Sequence, residues 1–218
     1  MALQFILSTA KTLDMKAPPC ERLPLGGDRV AGWVEHFPNA IKDNTNRLAI
    51  RVYNGWVFKQ LTRASWTPLQ WAYADEHCLI LSALWGPLRP FDGIKPYRLD
   101  FKALGAKGRK AWLTRFEDLL RQRLGKEPFL NLASAEFSAM VPSDLERVDV
   151  NFAQKLPDGS LRRFAVLAKT GRGELADAII TNQVENLSDV KGLTTASGFT
   201  YEPSLSSSDQ WTFLCPGE

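Results

Sequence analysis

Cys78-Leu79-Ile80-Leu81-Ser82-Ala83-Leu84-Trp85-Gly86-Pro87-Leu88-Arg89-Pro90-Phe91-Asp92 is the stretch that decides the fold. Its opening is a short continuous apolar run, which predicts a buried strand over 78–81. The chain then turns on Gly86, Pro87 and Pro90, delivers Arg89 and Asp92, and continues at once into Pro96-Tyr97-Arg98-Leu99-Asp100. Proline fixes φ and lowers the entropy of the unfolded chain, so such a loop holds its charged groups in place. A guanidinium offers five donors in a planar fork, which suits phosphate or carboxylate. Two readings stand side by side. One is an anion site on a rigid loop leaving a buried strand. The other is a closed turn in which Arg89 pairs with Asp92 and Arg98 with Asp100.

Segments of the same kind flank this one on both sides. Residues 3–7, 128–132 and 164–168 are short, apolar and bounded by turn residues, so they are expected to be strands of one sheet with 78–81. The last of them closes a hairpin over 147–168 around Pro157-Asp158-Gly159. Residues 48–58 alternate enough to predict a strand or hairpin turning at Asn54-Gly55. Helices interleave with these strands. Thr67 caps one over 67–75 with Pro68 at its first position. Trp112, Leu113, Phe116, Leu119, Leu120 and Leu124 share a helical face over 109–124. A third helix is expected over 173–182. Strands alternating with helices predict an α/β fold, organised as one domain over residues 1–218.

Composition narrows the function. The 218 residues are 44% hydrophobic and 23% charged with a formal net charge of +3, so a sizeable core is available and no extreme electrostatic partner is forced. The three cysteines, Cys20, Cys78 and Cys215, are far apart and form no CxxC pair, which argues against a disulfide framework. With His36 and His77 as the sole histidines, no metal centre and no cofactor is expected. The N-terminal apolar run is too short for a signal peptide, and no run of about 18 apolar residues exists, so a cytoplasmic protein without a membrane partner is expected. The oligomeric state is left open.

Three further places can carry chemistry. Ser8-Thr9-Ala10-Lys11-Thr12 sets hydroxyls and an ammonium after a buried strand, a reasonable anion cradle, or else an ordinary helix cap with a solvated lysine. Asn131-Leu132-Ala133-Ser134-Ala135-Glu136-Phe137 places a polar cluster where α/β sites lie, with Glu136 able to orient a cation or move a proton. Its structural alternative is Ser134 capping a helix. Lys169-Thr170-Gly171-Arg172-Gly173 is read as the turn from a strand into a helix, with Lys169 and Arg172 reaching one anion.

Taken together, these collinear segments resemble the YaaA family of bacterial proteins linked to peroxide stress and iron homeostasis. Leu7-Ser8-Thr9-Ala10-Lys11-Thr12-Leu13 is similar to the family's L-S-P-A-K-T-L, with threonine for proline. Tyr53-Asn54-Gly55 with Phe58 matches its aromatic–x–glycine segment. Residues 81–92 and 96–100 look like L-S-G-L-Y-G-x-L-R-P-x-D and P-Y-R-L-E. Residues 131–137 are similar to N-L-A-S-x-E-Y, and 168–173 to A-K-x-x-R-G. The resemblance implies a mixed, curved β-sheet wrapped by helices around a basic cleft. It also implies association with nucleic acid through a helix-hairpin-helix-like element. Here the region 14–47 is shorter than in the family, without a recognisable hairpin glycine motif, and the C-terminal end lacks the family's usual basic residue.

The expected partner is therefore nucleic acid or a small phosphate- or nucleobase-type ligand held in the cleft. The alternative expectation is an enzyme acting on a nucleobase, nucleotide or similar anionic metabolite. Ser8, Lys11, Ser134, Glu136 and Lys169 are the candidates for chemistry. Thr12, Tyr53, Arg89, Tyr97, Arg98, Asn131 and Arg172 are the candidates for ligand binding.

Overall fold

The computed structural model describes residues 3–125 and 127–217. From the N-terminus come β1 (Phe5–Ser8), α1 (Asp28–Val34), β2 (Arg47–Leu48), α2 (Ala49–Val52), α3 (Trp56–Lys59) and α4 (Pro68–His77). The middle holds β3 (Cys78–Ser82), β4 (Gly86–Leu88), β5 (Gly93–Ile94), α5 (Gly105–Leu124), β6 (Phe129–Asn131) and α6 (Ala135–Ser138). The last third holds β7 (Arg147–Lys155), β8 (Leu161–Arg162), α7 (Ala165–Thr181), β9 (Thr200–Tyr201) and β10 (Gln210–Pro216).

Eight strands form one mixed sheet in the order β4-β3-β1-β6-β7-β10-β9, with β8 paired to β7. The five inner strands, β3, β1, β6, β7 and β10, pair in parallel, and β4, β8 and β9 are antiparallel additions. Helices flank this sheet, which makes the chain a single α/β domain. Phe5, Ile6 and Leu7 of β1 and all five residues of β3 are buried, as parallel strands covered on both faces must be. Trp112 of α5 donates its Nε1–H to the Ser82 carbonyl at 3.0 Å, and Phe116 packs where Gly86 leaves no Cβ. The α4 start is as read from sequence. Thr67 Oγ1 accepts the Gln70 N–H, and the Gln70 side chain accepts the Thr67 N–H, a complete capping box.

Two expectations are corrected. Residues 48–58 are no hairpin but two single helical turns, α2 and α3. Gly55 has φ −79°, not a turn conformation, and a Cβ there would meet Ala10 Cβ at 2.6 Å. The glycine thus serves close approach to the chain leaving β1, and Asn54 N–H bonds Thr12 O at 2.9 Å. Residues 164–168 are no strand but the start of α7. The hairpin is real, with Gly159 at φ +83° in its turn, yet its return arm is only the two residues of β8. Phe164 and Val166 are exposed and Leu167 is buried, so this apolar run is not a strand interior.

Candidate functional site

β1 sits beside β3 on one side and β6 on the other. The chain leaves β1 for β3, then returns across β1 to reach β6 and moves on outward to β7 and β10. Strand order therefore reverses at the β1/β6 boundary, and the carboxyl ends of these strands are where open α/β sheets bind ligands. Ser8 ends β1, and Ser134 follows β6 by three residues. Ser8 Oγ accepts the Ser134 N–H at 2.8 Å and donates to Ser134 Oγ at 3.3 Å. The Ser134 hydroxyl proton is left for whatever enters the cavity that opens there.

That cavity has a volume of about 570 Å³. The chain after β1 supplies Ser8, Thr9, Lys11 and Thr12, the chain after β5 supplies Tyr97, Arg98 and Asp100, and β6–α6 supplies Ser134 and Glu136. Trp56 from α3 and Lys169 and Arg172 from α7 complete the polar and aromatic wall. Four cationic side chains meet two carboxylates on this surface. Nine of the residues expected from sequence are thus brought together.

The α7 contribution follows from local packing. Residues three apart share a helix face, so Lys169 and Arg172 point the same way. The intervening Gly171 lets the helix lie on the sheet, since a Cβ would sit 2.1 Å from Phe152 Cδ1 of β7. Gly173 does the same against α3, where a Cβ would sit 2.3 Å from the Val57 carbonyl oxygen. The expected strand-to-helix turn at 169–173 is therefore corrected. These glycines are contact points in the interior of a helix.

Charge is unevenly balanced in the wall. Lys11 Nζ lies 3.1 Å from Asp100 Oδ2. The Ala103 N–H first, and Lys11 after it, hold the Asp100 carboxyl below its ordinary value. Glu136 Oε1 accepts the Lys102 N–H at 2.9 Å. Arg172 is half-buried, its Nε is fully buried with no partner among the described residues, and burial lowers its pKa. The carboxylate two residues on, Glu174, is occupied by Thr195 and Ser197. Behind the wall, Ser82 Oγ accepts the N–H groups of Leu84 and Trp85, so its proton goes to Tyr97 Oη at 2.7 Å. Burial pushes the Tyr97 and Tyr53 hydroxyls up, keeping both protonated.

Three expected residues stand outside the cavity. Arg89 binds Asp92 through Nε and Nη2 at 3.1 and 3.0 Å, as the closed-turn reading has it. Asn131 donates to Asp149 at 2.6 Å and accepts the Ala133 N–H. Tyr53 is fully buried and reaches the site only through Tyr97, 3.1 Å away. Arg98 does not take Asp100, which belongs to Lys11. Sequence reading missed Trp56 and Thr170. A tryptophan after Gly55 reads as core, and nothing in the sequence says that this residue is 48% exposed. Among the described residues, no group of three or more His, Cys, Asp or Glu is placed to hold a metal ion, and no helix is long and apolar enough to cross a membrane.

The family described as "Peroxide stress protein YaaA" matches residues 26–205. The chain belongs to the YaaA family. It is 32% identical over 196 residues to a UPF0246 protein of Porphyromonas gingivalis, covering 84% of this chain and 74% of that one. It is 30% identical over 199 residues to a UPF0246 protein of Saccharophagus degradans, covering 87% and 76%. With a UPF0246 protein of Desulfotalea psychrophila it shares 28% over 177 residues, 77% and 69% of the two chains. The YaaA match takes in Tyr97, Arg98, Ser134, Glu136, Lys169 and Arg172, while Ser8 to Leu13 precede it.

Proposed function

We propose that this YaaA-family protein serves a peroxide-stress role in the cytoplasm by holding a phosphate-bearing ligand in the cavity at the β1/β6 crevice. The observation that carries this reading is Arg172. A cation taken out of water without a carboxylate is costly unless an anion offsets it. Here a half-buried guanidinium, its Nε shut off from water, lines a cavity shared with Lys169, Arg98 and Lys11. The volume lies within the range of small-molecule sites. It suits one nucleotide-sized portion of a ligand better than the long phosphate track of a duplex, so nucleic acid would enter through a strand end or an unpaired stretch.

A second reading, an enzyme acting on a nucleobase, nucleotide or similar anion, draws on the Ser8–Ser134 hydroxyl pair in the same wall. Thermal unfolding in the presence of pyrophosphate, mononucleotides and a short DNA duplex tests the binding reading. Pyrophosphate should raise Tm of the wild type, by about 2.7 kcal/mol of stability at 100 times Kd. It should leave Arg172→Met unmoved. A wild-type protein whose Tm responds to no phosphate compound at low salt refutes the reading. Turnover of a nucleotide that is lost in Ser134→Ala but kept in Arg98→Ala would favour the enzyme.

A further inference from the structure

Trp56 is an unusual wall for a cationic cavity. The residue is 48% exposed although large aromatics ordinarily go to the core. It is nevertheless held in one orientation. Nε1–H donates to Thr170 Oγ1 at 2.7 Å, and the Thr170 hydroxyl spends its own proton on the Val166 carbonyl at 3.1 Å. Both donor protons of the pair are thereby used. The indole has no hydrogen bond left to offer a ligand. What it brings to the cavity wall is its aromatic surface.

Thr170 stands between Lys169 and Arg172 on α7, so the ring is tied to the same helical turn that supplies two of the cations. A π face could also attract a cation. Lys169, Arg172, Arg98 and Lys11 oppose a cationic ligand here. The remaining complement is a neutral planar aromatic group joined to an anionic one.

We infer that Trp56 is a stacking platform for an unpaired nucleobase whose phosphate lies among Lys169, Arg172 and Arg98. This rests on the phosphate-binding reading above and narrows it to nucleotides, free or at an unpaired end of a strand. Base–aromatic stacking tolerates any base, because every base has a π face. The platform therefore selects nucleotides over other phosphates without selecting a sequence.

Calorimetric titration of the wild type and Trp56→Ala with AMP, ribose 5-phosphate and inorganic pyrophosphate tests the inference. AMP should bind the wild type about 5- to 100-fold more tightly than ribose 5-phosphate. Trp56→Ala should bring the two to near equality by weakening AMP alone. Trp56→Phe keeps a π face and should retain most of the AMP preference. Thr170→Val, which unties the ring, should lose part of it. All three variants lose the Trp56–Thr170 hydrogen bond, so a small drop in Tm with a single cooperative unfolding transition is expected, and affinities are compared on folded protein.

A 5′-phosphorylated single strand and a blunt duplex separate the two sources. If AMP is the better ligand the source is a free nucleotide, and if the single strand is, a strand end. Trp56→Ala should weaken whichever binds and leave duplex binding unchanged. Equal wild-type affinity for AMP and ribose 5-phosphate, or a preference that survives Trp56→Ala, overturns the stacking inference and leaves the phosphate reading intact. Failure of AMP, ribose 5-phosphate, pyrophosphate and both DNA probes to bind the wild type overturns both.

Discussion

Gly173→Ala inverts the usual expectation for a helical glycine. In the interior of α7 the change gains about 1 kcal/mol of helix propensity. The new Cβ, however, would lie 2.3 Å from Val57 O and 2.7 Å from Gln60 Cβ. An ordinary carbon–oxygen contact is about 3.3 Å or more, so α3 and α7 must part by about 1 Å. The nearest atom is backbone and cannot rotate away. Overpacking of this kind costs about 1–3 kcal/mol. Loosening the Trp56–Thr170 hydrogen bond across the same interface adds about 1 kcal/mol.

The net effect is a destabilisation of about 1–3 kcal/mol, and a chain of this length loses about 2–4 °C of Tm per kcal/mol. Urea and thermal unfolding of Gly173→Ala beside Gly32→Ala give the test. Gly32 lies inside α1, and its added Cβ meets only the flexible end of Arg115 at 3.3 Å. That control should be neutral or stabilised by up to about 1 kcal/mol. If Gly173→Ala were as stable as its control, the account of α7 as a helix seated through its glycines would be refuted.

Other perturbations bear on the charges and caps. Arg172→Met removes a partly desolvated cation and should raise stability by up to about 1 kcal/mol while abolishing stabilisation by pyrophosphate, so a fall in Tm would mean that the guanidinium is paired in the free protein. Thr67→Ala breaks the capping box of α4 and should cost about 1 kcal/mol in urea unfolding. Asp100 titrates below its ordinary value, so its contribution to stability is present above about pH 4 and is lost as pH falls through the folded pKa. Asp100→Asn should therefore differ from wild type at pH 6 and converge on it at low pH, and a gap that widens on acidification would reverse the sign of that linkage. Burial pushes the thiols of Cys78 and Cys215 up, so among the three cysteines only the half-buried Cys20 should label quickly with a thiol reagent in the native state. Rapid labelling of two or three thiols would contradict the packing of β3 and β10.

By itself the sequence determined the strands β1, β3 and β6 at the centre of the sheet and the identity of most polar residues in the cavity. Cys78-Leu79-Ile80-Leu81 is apolar on both faces because a central parallel strand is covered on both, and Thr67-Pro68 with Gln70 carries its helix start in local chemistry. Only the tertiary structure decided the rest. The 48–58 segment reads as alternating, yet Gly55 is dictated by Ala10, which is remote in sequence. Lys169-Thr-Gly-Arg-Gly reads as a flexible turn, since nothing local distinguishes a glycine needed for a turn from one needed beneath Phe152 or Val57 O. Arg89 and Arg172 are both arginines beside glycine or proline in the chain, but Arg89 finds Asp92 three residues on while Arg172 finds no carboxylate among the described residues. Trp56 is legible as a tryptophan and not as a surface. Exposure, pairing and contact belong to pairs of residues far apart in the chain, and local propensity carries no term for them.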